Sequence, residues 1–163
     1  MYQKAKYCAD DVAEIVIRYS NERKYPISNL KLQKVLYFIQ AIFLTEKKRE
    51  CFKEEIEAWT FGPVVPSVYQ KYKLFGANNI PASACNRNSL VNLFSSTNNS
   101  FNKVRISDED EKEIQDIVDS LSKYSATELV EITHNQSPWA EAYIPRLNRV
   151  ISSNAILNYF SNK

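Results

Sequence analysis

The sequence predicts a mainly α fold: a single compact helical domain around a central apolar helix, with a small β element near residues 54–62. Three observations point there. Gly62 and Gly76 are the only glycines in 163 residues, whereas tight hairpins usually need residues that tolerate positive φ. Apolar side chains recur at i, i+3, i+4 and i+7 in several stretches. The stretch around Leu32 is apolar over most of its circumference, as befits a helix packed on several sides.

The elements follow in order. Asp11 and Glu14 resemble a capping box ahead of Val12, Ile15, Val16 and Tyr19, which predicts a first helix from about Asp11 to Arg23. Tyr25-Pro26 breaks it, because a residue before proline is pushed out of the α region. Ser28 caps a second helix with Leu32, Val35, Leu36, Ile39 and Phe43 on one face, leaving Gln33, Tyr37 and Gln40 as a narrow polar stripe. The charged run Glu46 to Glu50 is expected to be a solvated turn, with its cations favourably placed at a helix C-terminus. Ile56 to Phe61 reads as a short strand stopped by Gly62-Pro63. Pro66 suits the first turn of a third helix, in which Val68, Tyr69, Tyr72 and Phe75 share a face before Gly76 ends it.

From Ala77 to Arg105 the composition turns polar, with eight asparagines and one short apolar run, Leu90 to Phe94. So long a connection without structure is unusual in a compact domain, so this stretch is expected to be an insertion, locally structured or mobile. Ser107 then caps a helix whose first turn carries Asp108, Glu109, Asp110 and Glu111, read as compensation of the helix dipole. Ser125 and Glu128 form a further capping box, Pro138 begins a turn at Trp139, and Ala155 to Phe160 closes the chain as an amphipathic helix. No internal repeat or second domain is visible, so residues 1–163 are expected to form one unit.

Composition excludes several function classes. The net charge of +2 is far from the basic footprint of a general nucleic-acid binder. Lysines alternate with aromatics from Tyr69 to Lys73, but Tyr69 and Tyr72 are i, i+3 neighbours facing the core, with Lys71 and Lys73 facing water. Cys8, Cys51 and Cys85 are too widely spaced for a CxxC motif or a fully paired disulfide framework, which suggests a reducing cytoplasm. No signal peptide and no membrane-spanning run is visible. The three cysteines and His134 lack the close spacing of a zinc site, and neither glycine lies in a phosphate-binding loop. No cofactor is expected. A Cys-His nucleophilic pair has no local signature, and His134 is better read as capping backbone groups at a helix end beside Pro138 and Trp139.

Three blocks exceed generic helix grammar: Leu30-Lys31-Leu32-Gln33-Lys34-Val35-Leu36-Tyr37-Phe38; Glu57-Ala58-Trp59 with Gly62-Pro63-Val64-Val65-Pro66 and Tyr69; and Ser125-Ala126-Thr127-Glu128-Leu129 with Thr133-His134 and Ser137-Pro138-Trp139. In this order and spacing they resemble the Panacea domain of SocA-like antitoxins and GepA-type phage-associated proteins, from roughly Ala9 to Phe160. The resemblance implies a non-enzymatic antitoxin of a toxin-antitoxin pair, prophage-borne, that neutralises a cognate toxin encoded by an adjacent gene through direct protein contact. An alternative is an adaptor that delivers a bound protein to a cytoplasmic protease. Many relatives carry an N-terminal helix-turn-helix; fewer than a dozen residues precede the first helix here, so autonomous DNA binding is not expected.

Leu32, Tyr37, Trp59, Gly62, Pro63, Tyr69 and Pro138 are assigned to the shared scaffold. Lys31 and Gln33 are expected to be its exposed polar members, able to bond a partner, although Gln33 could equally satisfy backbone at the Gly62-Pro63 turn. His134 and Trp139 face the same choice between partner and scaffold. Partner selection is assigned to the polar stripe and to Ala77 to Arg105.

Overall fold

At the centre stands the helix that the sequence places there, α2, running from Asn29 to Glu46 with thirteen of its side chains buried. The computed structural model describes residues 1–86 and 104–162. Along them the order is α1 (Ala9–Glu22), α2 (Asn29–Glu46), β1 (Ile56–Trp59), β2 (Gly62–Val64), α3 (Pro66–Tyr72), α4 (Asp108–Leu121), α5 (Ala126–His134), α6 (Ser137–Ala142), β3 (Val150–Ile151) and α7 (Ser153–Ser161). Among the described residues the fold is mainly helical with one small sheet, as the glycine content and periodicity predict. α2 is contacted by α1, α3, α4, α5, α7 and β2. Leu32, Leu36, Ile39 and Phe43 lose all exposure there, and a fully buried side chain of this size contributes roughly 1.5–3 kcal/mol.

Local chemistry sets most helix starts. Ser28, Ser107, Ser125 and Ser152 each accept a hydrogen bond from the backbone amide three residues on, and Ser125 with Glu128 completes a capping box. α1 departs from expectation: it begins at Ala9, and its cap residue Cys8 offers no side-chain bond. The Glu54 carboxylate caps it instead, accepting from the Ala9 amide at 2.7 Å. Asp10 and Asp11 fall in the first turn, where the helix dipole favours them.

The sheet has the order β2-β1-β3 and is antiparallel throughout, pairing Trp59 with Gly62, Ala58 with Pro63 and Glu57 with Val150. The expected strand from Ile56 to Phe61 therefore becomes one arm of a hairpin turning at Thr60 and Phe61. Gly62-Pro63 opens the second arm rather than stopping the first. Proline is tolerated because β2 is an edge strand, where a missing amide breaks no ladder.

The charged run after α2 is a further correction. Arg49 is buried, and both it and Lys47 pair with Asp110 of α4, which is itself buried. Tyr7 donates a hydrogen bond to the same carboxylate. Burial opposes ionisation of Asp110, but the bonds from Tyr7, Lys47 and Arg49 outweigh it and hold its pKa below the usual carboxylate value. The start of the polar stretch is also docked: Ile80 is fully buried and donates from its amide to the Ile27 carbonyl at 2.9 Å, while Ala84 and Cys85 join the core. The apolar run Leu90 to Phe94 lies outside the described residues.

Candidate functional site

The polar stripe of α2 faces inward, contrary to expectation. Gln33 and Gln40 are almost fully buried and Tyr37 completely so. Each serves a different segment. Gln33 accepts from the Val65 amide at 2.9 Å and donates to Asn29 at 3.0 Å. Tyr37 donates to Gln136 at 2.8 Å, at the junction of α5 and α6. Gln40 accepts from the amides of Cys51 and Phe52 and donates to the Phe52 carbonyl. A helix periodicity identifies which residues are polar, but not whether other segments bring them partners; here three loops do.

Lys31 is a second correction. It is largely buried, and its amine reaches the Ser122 carbonyl at 3.3 Å, pinning the end of α4 to α2. Burial lowers its pKa. Neither Lys31 nor Gln33 offers an open polar contact, and of the two roles left open for Gln33, it bonds backbone just past the Gly62-Pro63 turn. Lys71 also departs from the expected solvent-facing role: it bonds Asp10 and Glu14 of α1, while Tyr72 is buried. Lys71 thus joins α3 to α1, while Lys73 is exposed as expected.

Lys34 is the residue that sequence reasoning passed over. It is wholly buried, and its amine donates to the Pro63 carbonyl at 2.8 Å. Desolvation lowers its pKa to about 7. Gly62 makes the approach possible: at φ +102° it occupies the left-handed half of backbone space, and a Cβ there would lie 2.7 Å from Lys34 Cε and 2.9 Å from Thr133 Oγ1. The hairpin, α2 and α5 therefore meet where one residue lacks a side chain.

An aromatic column extends outward from this junction. His134 stacks on Trp139 with centroids 4.0 Å apart, and Trp139 stacks on Tyr143 at 4.6 Å. The Trp139 indole donates to the Trp59 carbonyl at 2.9 Å, and Tyr143 reaches Thr60 at 3.4 Å. Trp59 meets the Tyr69 ring edge-on at 5.0 Å and donates to Glu57 at 2.7 Å. His134 caps no carbonyl of its own helix; Asn135 serves the Glu131 carbonyl instead. Burial lowers the pKa of His134, contact with the Thr60 backbone partly opposes this, and the Lys34 charge adds to the lowering. Pro138 is buried at the α6 start. Beyond the column, Phe61, Ile144, Leu147 and Val150 are exposed apolar side chains.

Among the described residues no group of His, Cys, Asp and Glu could hold a metal ion, and no helix is long and apolar enough to cross a membrane. Cys51 and Cys85 are buried, and desolvation raises both thiol pKa values, opposing thiolate chemistry.

The chain matches the family described as antitoxin SocA-like, Panacea domain, over residues 32–140. It belongs to that family. Antitoxin SocA of Caulobacter vibrioides (strain NA1000 / CB15N) is 35% identical over 129 residues, covering 78% of this chain and 66% of the relative. The chain thus spans just under two thirds of that relative's length. No solved structure matches. The Panacea match contains Gln33, Lys34, Tyr37, Trp59, Gly62, Pro63 and Trp139, the residues that join α2, the hairpin and the α5-α6 corner. It ends three residues before Tyr143, so the exposed stretch 144–150 lies outside it.

Proposed function

We propose that this Panacea-domain chain is the antitoxin of a toxin-antitoxin pair, acting in the cytoplasm by binding its toxin stoichiometrically, with the toxin encoded by an adjacent gene. Family membership supports the antitoxin role. The observation that carries the binding mechanism is the inward use of the motif's polar groups: Gln33, Lys34, Tyr37 and Gln40 all bond other segments of the chain. Side chains committed in this way hold a scaffold, and a scaffold with an exposed aromatic and aliphatic edge suits protein contact.

Co-expression with the adjacent gene product tests this directly. Growth arrest caused by that product alone is expected to be relieved, and the two chains are expected to co-purify. Failure of both would overturn the proposal. Sequestration further predicts that the partner's lifetime in a pulse-chase is not shortened by this chain; faster turnover would favour delivery to a protease instead.

A further inference from the structure

Lys34 is a buried cation to which the fold gives no anion. Arg49, also buried, pairs with Asp110, and Lys71 pairs with Asp10 and Glu14. Among the described residues the Lys34 amine has only the Pro63 carbonyl, an uncharged acceptor. The groups around it are committed elsewhere or carry the wrong charge. On α2 itself, Lys31 bonds the Ser122 carbonyl and Tyr37 bonds Gln136. On the hairpin, Ile56 and Ala58 are buried, while Glu57 alternates to the other face and accepts from the Trp59 indole. On α5, Glu128 closes its own capping box and Glu131 is exposed. His134 can be neutral or cationic but never anionic, and its Nε2 is buried without a hydrogen-bond partner.

The element that Lys34 holds is a lightly anchored arm of the sheet. β2 is a three-residue edge strand, and Pro63 at its centre has no amide to give to the ladder. Trp139 and Tyr143 grip the hairpin at Trp59 and Thr60, before β2 begins. Past β2 the Val65 amide is held by Gln33. Lifting β2 from α2 therefore leaves β1 paired with β3 and bonded to α6. The closed junction has no room to hydrate the amine: the point where Gly62 would carry a Cβ is already 3.1 Å from Lys34 Nζ and 2.9 Å from Thr133 Oγ1. An ammonium there keeps one carbonyl and gives up its water.

We propose that Lys34 is a proton-operated latch on β2: the neutral amine holds the strand on α2, and proton uptake favours a form in which the strand lifts and the amine reaches water, the helices remaining packed. This is local opening of one element rather than unfolding of the chain. The latch belongs to the fold and does not depend on which partner the chain binds. Its working range follows from the closed and open values. Desolvation lowers the closed-state pKa to about 7, against 10.5 for the free side chain. From about 10.5 down to 7 the lifted form binds the extra proton, so opening becomes easier as the pH falls. Below about 7 both forms are protonated at Lys34, and its effect on opening is constant. The pKa of His134 is also lowered, so its own effect falls below 6.5 and outside this range.

Amide hydrogen exchange at Val64 and Val65, corrected for the intrinsic pH dependence of exchange, reads the opening constant of β2. It is expected to be smaller by about tenfold or more at pH 9 than at pH 7 in the unaltered chain, and to change less than about twofold in Lys34→Met. At both pH values it should exceed the opening constants of Ile114 and Ile117 in α4. An opening constant that does not change with pH in the unaltered chain would overturn the latch. So would an equal change in Lys34→Met, which would assign the effect to another group. Equal opening constants in β2 and α4 would mean that only the whole fold opens, and would overturn it too. Should Lys34→Met fail to fold, the Lys34 Cε resonance of the unaltered chain decides: titration near pH 7 together with the β2 exchange pattern supports the latch, and titration above about pH 9 excludes it.

Discussion

The amine of Lys34 bonds the Pro63 carbonyl at 2.8 Å across the space that a side chain at Gly62 would fill. This contact ties the central helix to the hairpin, and it depends on one missing methyl group. Gly62→Ala is therefore expected to destabilise the fold by about 2 kcal/mol or more, from positive-φ strain together with overpacking against Lys34 and Thr133. Gly76→Ala is the control: it has positive φ but nothing within 4 Å of an added Cβ, so only the strain remains and the cost is about 1 kcal/mol. Urea unfolding of both variants measures the difference, and equal losses would contradict the packing argument.

Lys34 should also mark itself in the pH dependence of stability. Its folded pKa is about 7 against 10.5 for the free side chain, so between these values the unfolded chain binds more protons than the folded one. Its contribution is least favourable at and below pH 7 and improves as the pH rises towards 10.5. Tyr37 and Cys51, whose pKa values burial raises, act oppositely in alkali, so a Lys34→Met reference is needed to subtract them. Between about pH 7 and 9 the unaltered chain is expected to gain roughly 2 kcal/mol relative to Lys34→Met. A constant difference would show that the buried amine stays charged.

Local signals carried the fold, and non-local ones were lost. Ser28, Ser107 and Ser125 cap their helices because the bond spans three residues and needs nothing else. The apolar face of α2 was legible for the same reason. By contrast Gln33, Gln40 and Lys31 look like solvent-facing groups in any local window; their partners Val65, Cys51 and Ser122 come from other parts of the chain. In sequence Arg49 looks like part of a turn and Asp110 like dipole compensation, because nothing local links positions 61 residues apart. The two-residue strand β3 carries too little pattern to be seen. Within the candidate site, Trp59, Gly62, Pro63 and Trp139 were identified by their motif, whereas Lys34 needed the close approach to Gly62 to reveal its role.

His134 is held between the hairpin and Trp139, stacked on the indole at 4.0 Å. His134→Phe keeps a flat partner for the indole and is expected to cost less than about 1 kcal/mol, whereas His134→Ala removes the stack and costs about 1–2 kcal/mol more. Toxin neutralisation should survive both wherever the chain stays folded. Loss of neutralisation in a well-folded His134→Phe would indicate a chemical role for the imidazole.

Asp110 neutralises two cations, Lys47 and the buried Arg49. Asp110→Asn leaves Arg49 without its counter-charge, and a loss of about 3–5 kcal/mol is expected in chemical denaturation. The lowered pKa of this carboxylate implies that its contribution is present above the ordinary aspartate value of 3.8 and is lost as the pH falls further through its folded value. Acid unfolding that is unchanged in Asp110→Asn would remove this ion cluster from the account.

The central claim is that a chain whose motif residues are spent on its own interior neutralises a toxin by holding it. Isothermal titration calorimetry of the purified chain with the purified adjacent gene product tests this most directly. A saturable complex of fixed stoichiometry, with submicromolar affinity of about −8 kcal/mol or stronger, is predicted; absence of heat and of any complex, while growth rescue persists in cells, would contradict it.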